Sequence, residues 1–492
     1  MNRNFSRKHM LGLAIALIVS APALAANNEV VINQTSAPAT EGNIANVSQA
    51  GDINVLSLNQ NGSANSNVVQ QDGVWLESYN NVTGNNNQVD TTQLADWHIA
   101  SLDINGNDNN VTLSQDGFFN DAQLTLNGAN NSTLLMQNGD QDEAIISLDG
   151  NGNNTEIQQL GNANWVNAGF VGNDNELLSQ QTGDNNEAGM FNLSGDRNTF
   201  ESEQMGNGNV GGVVGLTGDS NNFFVAQEGS ANVFIATDVA GNDNLVDVLQ
   251  TGNANEFTLQ PLAGEQNLIL VDQRGDGNVV AAPLGLSGND NQVDVWQSGN
   301  TNAATFATEG DAHNIEIQQR GDGNSSEMLL TGSSNVGVIY SRGNNNAGGL
   351  ALVGVSNSGN LQQVGDDNTA VVEIIGDDNN VMVQQRGNEN NLFVNSEMAV
   401  TGSTVDVEQN GDINLVDLLV AGNGNTLDIL QNGNGNWVAG DDGYFALSGN
   451  NGSLSVTQQG SDNLVLGAQG GDGNMMSVSQ IGDFNTAIVV QN

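Results

Sequence analysis

Glycine returns along this chain at a fixed interval. From Gly51 it recurs every eleven residues at Gly62, Gly73 and Gly84, with Ala95 in the next place, and then from Gly106 to Gly183. The steps lengthen at Gly195, Gly218, Gly241, Gly264 and Gly288, return to eleven from Gly310 to Gly387, and close on Gly460, Gly471 and Gly482. A phase kept that long means one small unit used many times, each burying its apolar side only against its neighbours. The local signature is Gln-x-Gly-x-x-Asn, as at Gln250, Gly252 and Asn255.

A second period lies over the first. Alternate units carry glutamine two places before the glycine: Gln49, Gln71, Gln93, Gln115, Gln137, Gln159, Gln181, Gln204, Gln227, Gln250, Gln273, Gln297, Gln319, Gln363, Gln385, Gln409, Gln431, Gln458 and Gln480, with Ser341 as the break. The units between carry an aliphatic residue or Phe170 there, among them Val82, Ile104, Leu126, Leu148, Leu216 and Leu330. The repeat is therefore about 22 residues, made of two unequal arms of eleven.

Within an arm every second residue is apolar, as at Val246 and Val248, which is the pattern of a strand with one buried face. Glycine admits positive φ, and asparagine bonds nearby backbone with its amide. Each Gly-x-x-Asn is read as a corner, typified by Gly51 with Asn54, Gly62 with Asn65, Gly252 with Asn255, Gly433 with Asn436 and Gly482 with Asn485. The predicted fold class is all-β: a β-solenoid of two strands per coil, its parallel sheets stacked along one axis at about 4.8 Å per coil, a rod on the order of 90 Å long. Stacked glutamines would bond amide to amide, sparing each buried amide roughly 1 to 3 kcal/mol.

The irregular steps fit this reading. The lengthened arms fall on the same side of five successive coils, which predicts a stacked row of bulges, and Pro261 and Pro283 lie in them. The stretches "SEMAVTGST" and "VAGDDGYFALSG" are expected to loop out from corners.

The first 25 residues have Arg3, Arg7 and Lys8 ahead of a short apolar run and Ala23-x-Ala25, the form of a secretory signal peptide. Residues 26–45 are read as an N-terminal segment and 46–492 as the repeat array. No later apolar stretch approaches the roughly 20 residues of a membrane span, so no membrane insertion is expected. Formal net charge is −48, and five arginines without lysine remain after the leader. That balance disfavours nucleic acid and anionic lipid as partners and favours divalent cations or a cationic partner. The absence of cysteine leaves an exported chain with no disulfide staple.

No catalytic, cofactor-binding or metal-binding set emerges. His98 and His313 stand in the asparagine place of their corners, and "GNGNVG" at 206–211 is built of repeat glycines rather than a strand-to-helix turn. Asp52, Asp140, Asp276, Asp322, Asp366, Asp377 and Asp472 follow corner glycines, and carboxylates stacked about 5 Å apart in water would repel by roughly 0.8 kcal/mol. Arg-Gly-Asp occurs at 274–276 and 320–322, where corner chemistry accounts for it.

The repeated Gln-x-Gly-x-x-Asn with an alternating strand resembles the curlin repeat of curli fibre subunits. Three features differ: the second glutamine is aliphatic here, asparagine stands where serine would open one strand, and the array is much longer than a typical subunit. The resemblance implies a secreted structural protein, not an enzyme and without cofactor, that polymerises with itself and with other curli-type subunits into extracellular amyloid fibres for biofilm matrix and adhesion. It also implies an outer-membrane secretion pore as a partner during export. Both arms carry glutamine at the two ends, Gln49, Gln60 and Gln71 first and Gln458, Gln469 and Gln480 last, so the terminal coils are expected to dock other subunits. The sequence ends on a strand, "AIVVQN", which would leave an open edge. The competing reading is a monomeric acidic β-solenoid that acts as an adhesin or calcium-dependent binding module.

Overall fold

The computed structural model describes residues 27–37, 40–396, 398–440 and 443–491. The leader expected over residues 1–25 lies outside the described residues. The chain divides into two compact units, residues 1–220 and 221–492.

In the first unit every described element is a strand and every pairing is parallel. One strand of each coil carries the glutamine and the other the aliphatic residue, which separates them into a glutamine sheet and an aliphatic sheet. In the glutamine sheet neighbours stack without slippage: Ser132–Asp140 pairs residue for residue with Asn154–Asn162, so that Gln137 lies over Gln159 and Gly139 over Gly161. The coil forms because alternate residues face inward. Leu56, Leu58, Ile104, Leu124, Ile157 and Phe170 are sealed between the two sheets, each such burial contributing roughly 1.5 to 3 kcal/mol. The strand Glu29–Thr35 already belongs to this stack, pairing with Val55–Ser63 and placing Gln34 over Gln60. It lies inside the segment 26–45, ahead of the position at which the sequence pattern becomes regular.

The second unit repeats the architecture. Its glutamine sheet runs from Asn222–Glu228 to Met475–Ile481 and its aliphatic sheet from Val233–Ala240 to Thr486–Gln491. Val246, Val248, Phe257, Val271, Val293, Ile317 and Leu454 are buried between them.

The lengthened arms are bulged strands of the aliphatic sheet. In the first unit the pairing of Trp165–Val171 with Glu187–Ser194 shifts after Ala168, and the extra residue is absorbed at Asn192, with φ 58°. The next arm absorbs its own at Gly215, φ 74°. In the second unit Asp238 does the same with φ 55°, and the arm ending at Gly288, two residues longer than eleven, takes up its excess in a turn that closes with Gly285 N–H on Ala282 O at 3.0 Å, Gly285 having φ 76°.

The two long irregular stretches differ from one another. In the first, the chain leaves the sheet after Asn395 and Val400 takes the corner glycine's place, its N–H bonding Ile375 O at 2.8 Å. In the second, the expected corner loop is instead an interruption inside a strand. Trp437 and Val438 pair with Leu415 and Val416, the chain departs after Ala439, and Phe445 returns opposite Leu418. An antiparallel bridge between Gly440 and Gly443 closes the excursion. Because Phe445 re-enters the buried row that Leu418 occupies, the core continues and the corner is untouched.

Candidate functional site

The groups that recur in every coil are backbone edges and side-chain amides, so the site is distributed along the stack. In the glutamine sheet Gln Nε2 donates to Oε1 of the glutamine one coil on, in runs broken at Ser341. In the first unit the spacings run 2.6 Å for Gln49 to Gln71, 2.9 Å for Gln71 to Gln93, Gln93 to Gln115 and Gln115 to Gln137, 3.0 Å for Gln137 to Gln159, 3.1 Å for Gln159 to Gln181 and 3.0 Å for Gln181 to Gln204. In the second unit Gln227, Gln250, Gln273, Gln297 and Gln319 form one run at 2.7 to 2.9 Å, and Gln363, Gln385, Gln409, Gln431, Gln458 and Gln480 another at 2.9 to 3.0 Å. The second amide hydrogen crosses to the other sheet, as from Gln93 to Glu77 O at 2.9 Å. Each such amide thereby ties a coil to its neighbour and one sheet to the other.

At Ser341 the run is interrupted. Gln319 turns to Ser326 Oγ at 2.9 Å, and Ser341 Oγ reaches Gln363 Oε1 at 3.3 Å. The added glutamines of the aliphatic arms are placed at Gln60, which accepts from Gln34 at 2.6 Å, and at Gln469, which pairs in register with Gln491.

The corner asparagines make a second ladder. Asn54, Asn65, Asn255 and Asn436 each donate Nδ2 to a glycine carbonyl one coil on, Gly73, Gly84, Gly275 and Gly460, at 2.8 to 3.0 Å. Their Oδ1 atoms accept the backbone N–H of the next coil's corner, as Asn65 does from Asn87 at 3.0 Å, and Asn485 donates to Asn463 in the same way. The glycines have φ of 92° at Gly51, 136° at Gly62, 118° at Gly252, 130° at Gly433 and 100° at Gly482. Conformation is not the sole reason for glycine here: a Cβ on Gly62 would stand 1.7 Å from the Gly84 carbonyl oxygen.

Three titratable residues occupy asparagine places. His98 Nδ1 accepts from Asn120 N at 3.2 Å and its Nε2 lies 2.7 Å from Leu94 O; His313 does the same with Asn335 and Glu309. Burial holds both imidazoles below their usual pKa, so each acts as a neutral stand-in for the amide. Asp142 is the third. Its Oδ1 accepts from Asn164 N at 2.9 Å and Asn164 Nδ2 at 3.2 Å, but Oδ2, buried where other coils have an amide donor, has no partner. Burial pushes its carboxyl up to about 6, and Asp140 and Asp184 add to the shift. Protonated, Asp142 supplies the missing donor; ionised, it faces carbonyl oxygens.

Two corner features were missed in the sequence reading. The residue two places after the glycine also has positive φ in nearly every corner, as at Asn86, Asp108 and Asp243. In the first unit this position holds Ile53, Trp75, Trp97 and Phe119 in successive coils, and the Trp75 and Trp97 rings stack at 4.8 Å. The position directly after the glycine alternates amide and acid in the second unit: Asn253, Asp276, Asn300, Asp322, Asn344, Asp366, Asn388, Asp412, Asn434. Each Oδ1 accepts the N–H of the preceding coil at 2.8 to 3.1 Å. Acids in this column are therefore two coils apart, about 10 Å, not the 5 Å that uninterrupted stacking would give, and the repulsion expected from the sequence is correspondingly weaker. The sequence carried that signal in the strict Asn/Asp alternation. In the first Arg-Gly-Asp, Arg274 folds back on Asp272 at 2.8 Å.

Five stretches of the chain match the curlin associated repeat: residues 84–117, 128–161, 288–321, 354–387 and 449–482, together about a third of the sequence. Each begins on the glycine that ends an aliphatic arm and finishes on one that ends a glutamine arm, so each takes in two glutamine strands and the aliphatic strand between. No curated protein matches the chain.

Proposed function

We propose that this chain, a curlin-repeat protein, is a secreted curli-like subunit that polymerises into extracellular cross-β fibres of a biofilm matrix. The observation that carries the reading is the sameness of the coil's two faces. Each coil presents a row of N–H and C=O groups, a glutamine amide and an asparagine amide above, and accepts the same set from below, as Gln137 does between Gln115 and Gln159. A surface that bonds a copy of itself within a chain bonds one between chains by the same geometry. The chemistry of the site also supports a structural role, since the amides that fill it are neither acids nor nucleophiles at neutral pH.

Export through an outer-membrane pore, partnership with other curli-type subunits and adhesion are part of this proposal. Electron microscopy and X-ray diffraction of the purified protein lacking residues 1–25 test it. Long unbranched filaments with reflections near 4.8 and 10 Å are expected. Single short particles at every concentration and calcium level would refute polymerisation and leave the monomeric binding module.

A further inference from the structure

We propose that the outward face of the glutamine sheet around residues 314–386 binds an extended anionic polysaccharide. Of the five arginines that follow the leader, four fall in one column of the second unit, at the outward position just before the corner glycine. The column runs Arg274, Ser298, Arg320, Arg342, Val364, Arg386, each stacked on the next in register. Arg274 and Arg386, at its ends, are paired with Asp272 and Glu408. Arg320 and Arg342 lie directly over one another, exposed, and among the described residues no carboxylate is within ion-pair distance of either. Two adjacent like charges about 4.8 Å apart repel unless an anion joins them.

The surroundings fit a sugar acid. The three strands Val336–Arg342, Ser358–Val364 and Asn380–Arg386 contain no acidic residue, although the whole chain has 56. Beside the arginines is a shallow hollow of about 300 Å³ lined by Glu316, Gln318, Val338, Ile339, Tyr340 and Gln362. Asn360, stacked on Val338, has a buried Oδ1 without a hydrogen-bond partner. Amides, a phenol and one carboxylate are the groups that bond ring hydroxyls, and a guanidinium fork takes a carboxylate in bidentate fashion. A polyanion of low charge density suits this face better than nucleic acid, whose closely spaced phosphates would meet the large negative charge of the rest of the chain. Single strands also need an aromatic platform for successive bases, and Tyr340 stands between Gln318 and Gln362.

Affinity electrophoresis of the soluble protein lacking residues 1–25, through gels containing polygalacturonate, dextran or single-stranded DNA, tests this. Polygalacturonate should retard the protein and dextran should not. The double variant Arg320→Gln/Arg342→Gln should bind about tenfold more weakly, the scale of losing charge-assisted hydrogen bonds, while Arg197→Gln should bind as the parent. The column already accepts Ser298 and Val364, so the double variant keeps the coil, and an unchanged far-ultraviolet circular dichroism spectrum checks this. Absence of retardation, equal retardation of the double variant, or DNA binding at least as strong with the same arginine dependence would each overturn the proposal.

Discussion

At the scale of single residues, one ladder amide and one buried carboxyl each have a measurable effect on stability. Gln273 accepts from Gln250 and donates to Gln297 and to Glu256 O. Gln273→Leu keeps the volume but leaves the Gln250 amide hydrogen unpaired in a buried place, so a loss of about 2 to 4 kcal/mol is expected in denaturant unfolding. A loss below half a kcal/mol would mean the ladder is not stabilising. Asp142 acts through its proton. Its folded pKa of about 6 lies above the ordinary aspartate value of 3.8, so the folded state holds the proton more tightly. Stability from this group is complete below about pH 4 and is lost as pH rises through 6, a penalty on the order of 3 kcal/mol at neutral pH. Asp142→Asn should therefore stabilise at pH 7.5 and have little effect at pH 4, read from denaturation midpoints at both; equal effects would contradict the assignment. The glutamine and asparagine columns were legible in the sequence because substitutions there are rare. The protonation of Asp142 was not, since it depends on which atom a carbonyl one coil away faces.

Individual arms show what a strand of this kind tolerates. It can absorb one residue as a bulge when its neighbours do likewise, and a larger insertion when the chain leaves and rejoins the same buried row. Residues 440–444 are such an insertion: with them removed, Ala439 would be followed by Phe445, and the arm would regain seven strand residues and the eleven-residue spacing. Deletion of 440–444 should leave the β-sheet circular dichroism and the unfolding midpoint within about 1 kcal/mol of the parent, as for trimming a surface loop. Collapse of the sheet signal would show that the excursion is a required part of the coil. The row of bulges could be foreseen from the repeated excess of one residue, and of two in the arm ending at Gly288, on one side. The place of the second loop could not, because the sequence from Val438 to Gly449 fits the corner pattern about as well as the strand, and only the burial of Phe445 over Leu418 decides. The early start of the first unit, at Glu29, was hidden for a similar reason: Gln34 lacks the Gly-x-x-Asn that marks other arms.

For each unit as a whole, the period in the sequence and the period in space are the same thing: one coil per pair of arms, set at the distance between hydrogen-bonded strands. Function, on this account, follows from that identity rather than from any cluster of reactive groups. The chain has no cysteine, so spin labels can be placed on introduced thiols without interference. With labels on Ser298→Cys and Arg386→Cys, 88 residues apart in sequence and four coils apart in register, double electron–electron resonance should give a separation near 19 Å. Moving the second label to Asn410→Cys, one coil further, should add about 4.8 Å. Distances that are broad, or that fail to grow by one strand spacing per coil, would contradict the stacking of amide over amide on which the account rests.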